Sequence, residues 1–449
     1  LDSPVIFCSG RKGTASLTPD SQGENLSPLF DTILEHIQPP EGDDTAPAQM
    51  LVSSVDYNDY VGKIAIGRIE RGVFKLKQEI AVCDYHDKSL NRKSRITSLF
   101  QIDGLARTPV ETAKIGDIVC LSGLDDINIG NTITEKEFPE PLPFVKIGEP
   151  TMEMTFSVNN SPFAGREGKY VTTRHIRDYL FREAMKDMSL KVYETDSSDS
   201  YSVCGRGEMH LSILMENMRR EGYEFTVSTP RIIYREIDGV KCEPIDRVVI
   251  DVPKECVSAV MERMGYRKGE LTEMLPKGER MHLEFMVPTR GLFGYKTEFL
   301  TDTKGEGVFS AVFESYQPVK GEITKRFTGS LVAYEEGEAT SYGIYNAQDR
   351  GSMFVDPSNR VYAGQVVGIS SKGDDIVVNV CKKKHLTAIR STGADEALRL
   401  VPPIKFSLEE ALEFIADDEL IEITPKSIRI RKRILDNSLR MKEKMKSRD

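Results

Sequence analysis

The spacing of hydrophobic and polar residues changes several times along this chain of 449 residues. Near the amino end, apolar residues over 29–34 recur at helical intervals, and Pro28 and the Pro39-Pro40 pair suit the two ends of a helix. A short apolar run at 5–7 comes before it and resembles a strand already under way. The first 40 residues therefore predict a strand, a polar loop and a helix.

Between residues 47 and 143 the pattern becomes one of short runs in which apolar and polar residues alternate. Turn sequences such as Asp103-Gly104 separate these runs, and no helical segment lies between them. Short strands at this spacing predict a small β-barrel. The predicted strands are 48–55, 62–70, 79–82, 94–100 and 118–122.

Two regions with the element order β-α-β-β-α-β follow, which is the order of a ferredoxin-like, or split βαβ, fold. The first region covers 149–228, with helices predicted at 171–188 and 208–221. The second covers 229–318, with helices predicted at 255–264 and 294–301. The two regions share this architecture without a repeat in sequence.

Residues 319–449 follow neither plan. Ser407 and Glu410 have the spacing of a capping box and predict a helix over 407–415. Residues 427–449 begin strand-like and continue as a charged helix or tail. The further predicted strands or turns are 330–334, 339–345, 351–355 and 365–370.

A Gly-Arg-Gly sequence joins a strand to a helix inside the first split unit. The helix begins with Glu208, whose carboxylate suits the positive end of the helix dipole. His210 lies in its first turn, where packing or hydrogen bonding explains it better than catalysis. The residues predicted to pack on the sheet are Leu211, Leu214, Met215 and Met218.

The composition is that of a globular protein, with 39% hydrophobic and 29% charged residues and seven scattered cysteines that form no metal-binding motif. No apolar run is long enough to span a membrane. The net charge of −10 is uneven, because residues 426–449 carry +7 and the rest of the chain −17. A basic tail on an acidic protein is typical of contact with a polyanion.

The sequence contains no catalytic constellation that we can recognise. His-Glu-x-x-His, Gly-x-Ser-x-Gly, Gly-x-x-x-x-Gly-Lys-Ser/Thr and Asn-Lys-x-Asp are all absent. The sequence Asp302-Thr303-Lys304-Gly305 follows a predicted helix and is predicted to be a turn. Residues 290–295 are predicted to be a tight structural turn, although their aromatic residues are similar to those of RNA-recognition strands.

Basic residues concentrate in the C-terminal region, in one cluster at 382–384 and another at 429–433. A solvated charged surface is the usual explanation of such runs, but two clusters in one region of an acidic protein favour contact with RNA phosphates. The candidates are Lys372, Lys382, Lys383, Lys384, Arg390, Arg429, Arg431, Lys432 and Arg433.

The order of these regions, together with the 205–211 and 291–307 motifs, resembles the body of translational GTPases such as elongation factor G. Residues 347–351, 361–365, 400–403 and 428–433 resemble the C-terminal domain of the BipA/TypA family. The resemblance implies a multidomain α+β protein with a β-barrel, two ferredoxin-like domains and a BipA-type C-terminal domain. The implied domains are 1–40 (the end of a GTP-binding domain), 47–143, 149–228, 229–318 and 319–449.

The resemblance also implies a function, which we state as an expectation. It implies a monomeric cytoplasmic factor that binds the ribosome, including rRNA of both subunits and the A-site tRNA. It further implies roles in large-subunit assembly and stress-responsive translation. The alternative is a self-contained RNA-binding module that is not linked to a GTPase.

One departure from the family pattern limits what the resemblance implies about catalysis. Ser9, Gly10 and Arg11 occupy the position of the family's guanine loop, and the motifs that hold phosphates and magnesium are outside this sequence. We expect a fragment that holds no cofactor, binds GTP weakly or not at all and does not hydrolyse it. GTP and Mg²⁺ are the cofactors expected of a full-length parent.

Overall fold

The computed structural model describes residues 3–39, 41–58, 60–124, 126–145, 148–323, 326, 328–383 and 399–446. The chain forms two compact units, Leu1–Lys146 and Ile147–Asp449. Within the described residues, no helix has both the length and the apolar character needed to cross a membrane.

The first unit begins with a hairpin and a helix. Strands β1 (Phe7–Ser9) and β2 (Thr14–Ser16) pair antiparallel, and helix α1 (Ser27–His36) follows. Pro28 lies in the first turn of α1, where its missing N–H leaves no helical hydrogen bond unmade. The helix predicted from the 29–34 pattern is confirmed.

An eight-stranded sheet and a two-stranded sheet make up the rest of the first unit. The order of the large sheet is β7-β6-β12-β3-β4-β11-β8-β9, and β5 pairs with β10. Its buried core includes Met50, Val82 and Val119. The strands are β3 (Gln49–Asn58), β4 (Gly62–Arg71), β5 (Val73–Lys75), β6 (Glu79–Cys83), β7 (Arg92–Arg95), β8 (Ser98–Asp103), β9 (Ala106–Pro109), β10 (Thr112–Lys114), β11 (Ile118–Ser122) and β12 (Thr132–Glu135).

The run that the sequence predicted as one strand at 94–100 is two strands. β7 pairs with β6, whereas β8 pairs with β11, so the chain changes partner between them. Ile96, at the point of change, is fully buried and its N–H donates to the Gln78 carbonyl at 3.1 Å. The burial pattern shifts phase at this point, since Ile96 and Leu99 are both buried three positions apart.

The second unit opens with an α+β region whose sheet order is β14-β15-β13-β16. Helix α2 follows the first strand and helix α3 the third, as the sequence predicted. The elements are β13 (Met152–Val158), α2 (Thr173–Lys186), β14 (Lys191–Glu194), β15 (Ser200–Gly205), α3 (Glu208–Glu221) and β16 (Phe225–Val227).

A second α+β region has the sheet order β18-β19-β21-β20, and β22 also pairs antiparallel with β19. Its helices cover one face of the sheet through buried residues such as Val260 and Phe299. Before it, β17 (Arg231–Ile232) pairs with β13. The elements are β18 (Arg235–Ile237), β19 (Val240–Pro253), α4 (Val257–Tyr266), β20 (Glu270–Lys277), β21 (Arg280–Pro288), α5 (Tyr295–Asp302) and β22 (Val308–Pro318).

The C-terminal region continues the sheet of the first α+β region. Its strand β29 pairs antiparallel with β16, and the sheet then runs through β30, β27, β23 and β28. The elements are β23 (Ser330–Ala333), β24 (Gly337–Glu338), α6 (Ser341–Gln348), β25 (Gly351–Met353), β26 (Arg360–Val361), β27 (Gln365–Ser370), β28 (Ile376–Val378), α7 (Leu408–Phe414), β29 (Glu419–Ile423), β30 (Ile428–Lys432) and α8 (Asn437–Lys446).

The two regions also share one hydrophobic core. Phe156 and Leu211 of the first α+β region belong to the same buried cluster as Leu412 and Ile421 of the C-terminal region. Fully burying an apolar side chain of this size contributes about 1.5–3 kcal/mol. The shared sheet and core join regions that the sequence pattern presented as separate.

Helix α6 is an element that the sequence pattern missed, since residues 339–345 were predicted to form strands or turns. The Thr340 side chain caps α6 by accepting a hydrogen bond from the Gly343 N–H at 2.9 Å. Gly343 lets the helix approach the backbone closely, because a Cβ there would lie 2.1 Å from the Val380 carbonyl oxygen. By contrast, the capping box predicted for Ser407 and Glu410 is confirmed.

Candidate functional site

Hydrogen bonds and close packing account for the residues of the Gly-Arg-Gly turn between β15 and α3. The backbone N–H of Arg206 donates to His210 Nδ1 at 3.3 Å, so His210 Nε2 carries the proton shared with Asp187 at 2.8 Å. A Cβ at Gly205 would lie 2.9 Å from Leu211 Cδ2. His210 therefore ties the start of α3 to the end of α2, as the sequence analysis favoured.

Two further motifs are also turns. Lys304 and Gly305 follow α5 with φ values of 54° and 80°, the left-handed conformation that ends many helices. Gly291 lies so close to the backbone that a Cβ would be 2.7 Å from the Arg267 carbonyl oxygen. Arg290 forms an ion pair with the buried Glu243. Neither motif presents an aromatic strand to RNA.

One group of side chains has the composition of a metal site. Ligand atoms of Glu273, His282 and Glu284 lie within 4.8 Å of one another on β20 and β21. His282 Nδ1 is 2.9 Å from Asp251 Oδ1, and this hydrogen bond raises the pKa of His282. Lys277 Nζ lies 3.2 Å from the same nitrogen, so a cation already occupies the neighbourhood. We assign the group to an ion-pair network across the sheet.

The amino-terminal turn at Ser9, Gly10 and Arg11 links β1 to β2. Gly10 and Arg11 are exposed, and a Cβ at Gly10 would have no neighbour within 4 Å. The Ser9 carbonyl accepts a hydrogen bond from the Gly13 N–H at 2.9 Å. The turn is open to solvent, and the sequence supplies no phosphate loop to accompany it.

Buried polar residues hold the C-terminal region to the first α+β region. Glu224 accepts hydrogen bonds from Asn159 Nδ2 at 2.7 Å and from the Gly168 N–H at 2.9 Å. Asn159 Nδ2 also lies 3.1 Å from Glu422 Oε1, and Tyr362 donates to Glu422 Oε2 at 2.6 Å. Both glutamates are fully buried. The network therefore fixes the position of one region against the other.

Two basic residues predicted to contact RNA belong to this network. Arg429 lies 2.9 Å from Glu422 Oε1 and 2.5 Å from Glu167 Oε1. Arg431 is 2% exposed and donates to Asn160 Oδ1. Burial lowers the pKa of Arg431, because the charged guanidinium is removed from water.

Lys432 is the third buried basic residue, with an exposure of 1%. Its Nζ lies 2.5 Å from Asp375, 2.8 Å from Asp418 and 3.0 Å from Glu419. Burial by itself lowers the pKa of this ammonium, but the three carboxylates outweigh that effect and raise it. Lys432 therefore neutralises an acidic cluster inside the fold.

The sequence analysis expected an exposed basic run at 429–433, and the structure corrects that geometry. β30 lies inside the sheet between β29 and β27, so Arg429, Arg431 and Lys432 face protein partners. RNA contact by these three residues stays a prediction that requires their ion pairs and hydrogen bonds to open. Arg433 is exposed, and its guanidinium donates to the Asp417 carbonyl at 3.3 Å.

Three of the remaining candidates flank β28 of the C-terminal region: Lys372 comes before the strand, and Lys382 and Lys383 come after it. Lys372, Lys382 and Lys383 are exposed. Lys384 and Arg390 lie outside the described residues. An exposed lysine keeps its charge available to a phosphate, so these three lysines keep the capacity for RNA contact that the sequence indicated.

Comparison with known proteins identifies three domain families along the chain. Residues 62–134 match the elongation factor Tu domain 2 family, 240–327 the elongation factor G C-terminus, and 328–437 the TypA/BipA C-terminal domain. The two elongation-factor matches favour a translation-factor relative over a self-contained RNA-binding module.

Curated relatives match along almost the whole chain. Large ribosomal subunit assembly factor BipA of Bacillus subtilis is 48% identical over 450 residues, which cover 100% of this chain and 73% of that protein. The factors of the same name from Synechocystis sp. and Haemophilus influenzae are each 46% identical, and the matches cover 96% and 97% of this chain and 72% and 71% of those proteins. The resemblance seen in the sequence is confirmed, and the chain belongs to the BipA family.

Proposed function

We propose that this chain is the ribosome-binding body of a BipA-type translational GTPase that takes part in assembly of the large ribosomal subunit. The observation that carries the proposal is 48% identity along the full chain to a protein named for that role. The elongation-factor domains support the same conclusion, since proteins built from them work on the ribosome.

We place the proposed RNA contact on the exposed lysines of the C-terminal region. The whole chain carries −10, so contact with rRNA has to concentrate where basic side chains are free. Lys372, Lys382 and Lys383 meet that condition, and Lys384 and Arg390 are close to them in sequence. The proposed partners are rRNA of the two subunits and the A-site tRNA. We propose that the protein binds them as a monomer in the cytoplasm, and that it also acts in translation under stress.

The finer description of the fold is part of the same proposal. We take the eight-stranded sheet as the closed β-barrel of a translation factor. The sheet order β14-β15-β13-β16, with α2 and α3 as crossovers, supports a ferredoxin-like first α+β region. The four-stranded core of the second region supports the same assignment there.

GTP and Mg²⁺ do not fit the residues present in this chain. Nucleotide phosphates need a cradle of backbone N–H groups with a lysine, and Mg²⁺ needs a Ser or Thr hydroxyl beside it. Ser9, Gly10 and Arg11 offer at most a turn beside a guanine ring. We therefore assign this chain to binding the ribosome and derive no hydrolytic step.

Co-sedimentation with purified ribosomal subunits tests the proposal. We expect the chain to pellet with large subunits at low salt and to be released as salt rises, because phosphate contacts release counterions. An unrelated protein of similar size and charge is the control for trapping in the pellet. Failure to pellet with large subunits at any salt concentration would overturn the proposal.

A further inference from the structure

A cleft of about 1080 Å³ lies between the first α+β region and the C-terminal region. One wall is formed by α3 and the loop 163–167. The other is formed by the segments 354–360 and 404–411, and β30 closes one end. The polar network around Glu224 and Glu422 fixes these walls against each other, so the cleft has a defined shape.

The charge of the lining is opposite to that of the protein. Seven arginine or lysine side chains and four carboxylates line the cleft, which gives a net charge of +3 on a chain of −10. A concave surface of one sign concentrates the electric field and attracts ligands of the opposite sign. The cationic residues are Arg166, Arg219, Arg220, Arg360, Lys405, Lys426 and Arg429.

Three of the four carboxylates already pair with cations of the lining. Glu216 pairs with Arg219 Nε at 2.7 Å and with Arg220 Nε at 2.8 Å, and hydrogen bonds from Arg219 lower the pKa of Glu216 to about 2. Glu167 pairs with Arg429. Asp356 lies 3.6 Å from Lys405. These three acidic side chains therefore do not cancel the other cations, and Glu409 is the fourth carboxylate of the lining.

Three cations are left for a ligand. Within the part of the chain that the structure describes, Arg166, Arg360 and Lys426 have no carboxylate within 4.0 Å. All three are exposed. The Arg166 guanidinium lies 4.5 Å from the centre of the Phe163 ring, which orients it without neutralising it.

Aromatic side chains complete the lining. Phe354 and Phe406 are half-buried in the cleft wall, with ring centroids 4.7 Å apart. Any nucleobase can stack on an aromatic ring, whatever the sequence of the nucleic acid, whereas a phosphate needs cations that are not already paired. The cleft offers both, at a size that suits one or two nucleotides rather than a duplex.

We infer that this cleft binds the phosphates of nucleotides, either in a single RNA strand or as free mononucleotides. Arg166, Arg360 and Lys426 contact the phosphates, and Phe354 or Phe406 stacks against a base. The inference deepens the proposed function and rests on it, because a ribosome-binding body meets single-stranded rRNA. It adds a second contact that is separate from the lysines at 372–384.

Binding of a fluorescein-labelled 12-nucleotide RNA strand, followed by anisotropy in the full chain, tests the inference. Arg360→Ala/Lys426→Ala should reduce the dependence of log K on log salt by about 1.4, or about 0.7 for each contact with a single strand. Arg360→Glu/Lys426→Glu should weaken binding at least ten-fold. The matched control is Lys75→Glu/Lys88→Glu, which reverses two exposed charges in the first unit and should leave binding unchanged.

Competition identifies the source of the phosphate. If adenosine diphosphate displaces the RNA from the wild-type chain, a mononucleotide suffices. If only unlabelled RNA displaces it, the cleft recognises a strand. Either result supports the inference, provided that the cleft variants lose the competed binding.

Two results would overturn the inference: cleft variants that bind RNA as the wild type does, or a wild-type chain that binds neither probe. Thermal melting of each variant checks that folding is intact. Sedimentation with large subunits separates the two proposals. A chain that pellets with subunits, but whose cleft variants bind RNA normally, retains the proposed function and loses this site.

Discussion

At the scale of single residues, burial decides what a basic side chain can do. Arg429 and Arg431 alternate with isoleucines and Lys432 follows directly, a pattern that the sequence presents as an exposed basic strand. Each has a partner far away in the chain: Glu167 for Arg429, Asn160 for Arg431 and Asp375 for Lys432. Sequence distance hides such pairs, so a local pattern could not reveal the burial.

Arg429→Ala tests whether this residue stabilises the fold. The change leaves the fully buried Glu422 and the half-buried Glu167 without their cation, so we expect a loss of about 3–5 kcal/mol in the free energy of unfolding. Arg433 is exposed and lies just beyond the end of β30. Arg433→Ala should therefore change the free energy of unfolding by less than about 0.5 kcal/mol. Urea denaturation followed by circular dichroism measures both. Equal small effects would show that the ion pairs of Arg429 do not stabilise the fold and would leave its guanidinium available for the predicted RNA contact.

Leu211→Ala tests the helical phase that the sequence predicted for α3. Leu211 and Met218 are fully buried and Leu214 is nearly so, whereas Ile213 is 55% exposed on the opposite face. We expect Leu211→Ala to cost about 2–5 kcal/mol, through lost burial and the cavity left behind. Ile213→Ala is the matched control and should cost far less. A denaturation midpoint unaffected by Leu211→Ala would show that this face does not pack.

Asp246 gives stability a pH dependence. It lies almost buried in β19, and burial raises its pKa from 3.8 to about 6 despite a hydrogen bond from Thr289. The folded state therefore binds this proton more tightly than the unfolded state. The resulting stabilisation is complete below pH 3.8, is lost as the pH rises through 6, and amounts to about 3 kcal/mol.

Asp246→Asn should remove this dependence. We expect the variant to be more stable than the wild type at pH 7.5, and the difference to shrink as the pH falls towards 4.5. Thermal melting across that range measures it, with the exposed Glu279→Gln as the control for removing a surface charge. A difference that stays constant with pH would contradict the assignment to Asp246.

At the scale of elements, periodicity predicted most of the helices and many of the strands, but it missed the buried strands β12 and β29. α3 has the predicted bounds, and β21 and β27 match the predicted runs. The pattern failed for α6, whose aromatic residues suit strands and whose Gly343 disfavours a helix, because close packing against Val380 determines the conformation there. It also could not predict the pairing of β16 with β29, since register between distant strands depends on the whole sheet.

The cluster of three lysines at 382–384 has a proposed role that can be measured directly. Lys382→Ala/Lys383→Ala/Lys384→Ala should weaken binding to large ribosomal subunits and reduce the salt dependence by up to about 2–3 in log K against log salt, or about 0.9 for each duplex-like contact. Lys75→Ala/Lys88→Ala/Lys93→Ala removes three exposed charges from the first unit as a control. Sedimentation across a salt series measures both the affinity and its salt dependence. Wild-type values of both in the triple variant of Lys382, Lys383 and Lys384 would remove these lysines from the proposed RNA contact.

At the scale of the whole molecule, the family and the order of its domains could be read from the sequence, because both depend on motifs along the chain. The cleft could not, because its walls come from 163–167, 354–360 and 404–411 and meet only through the shared sheet. The distribution of charge shows the same contrast. Exposed cations of this acidic chain include the lysines at 372–383 and those of the cleft, and both groups lie in the second unit.

The chain as a whole should bind GTP weakly and hydrolyse none. Tight binding of a nucleoside triphosphate by this class of protein needs a glycine-rich phosphate loop, its lysine and a hydroxyl on Mg²⁺, and the sequence contains no such motif. Isothermal titration calorimetry with GTP and Mg²⁺ should therefore give no binding at micromolar concentrations, and phosphate release should stay at the level without protein. The cleft variant Arg360→Glu/Lys426→Glu distinguishes two sources of any weak signal. A signal that disappears in this variant comes from the cleft and is shared by other nucleotides, whereas micromolar affinity that survives in it and is specific for guanine would show that the Ser9–Arg11 turn supports nucleotide binding without a phosphate loop.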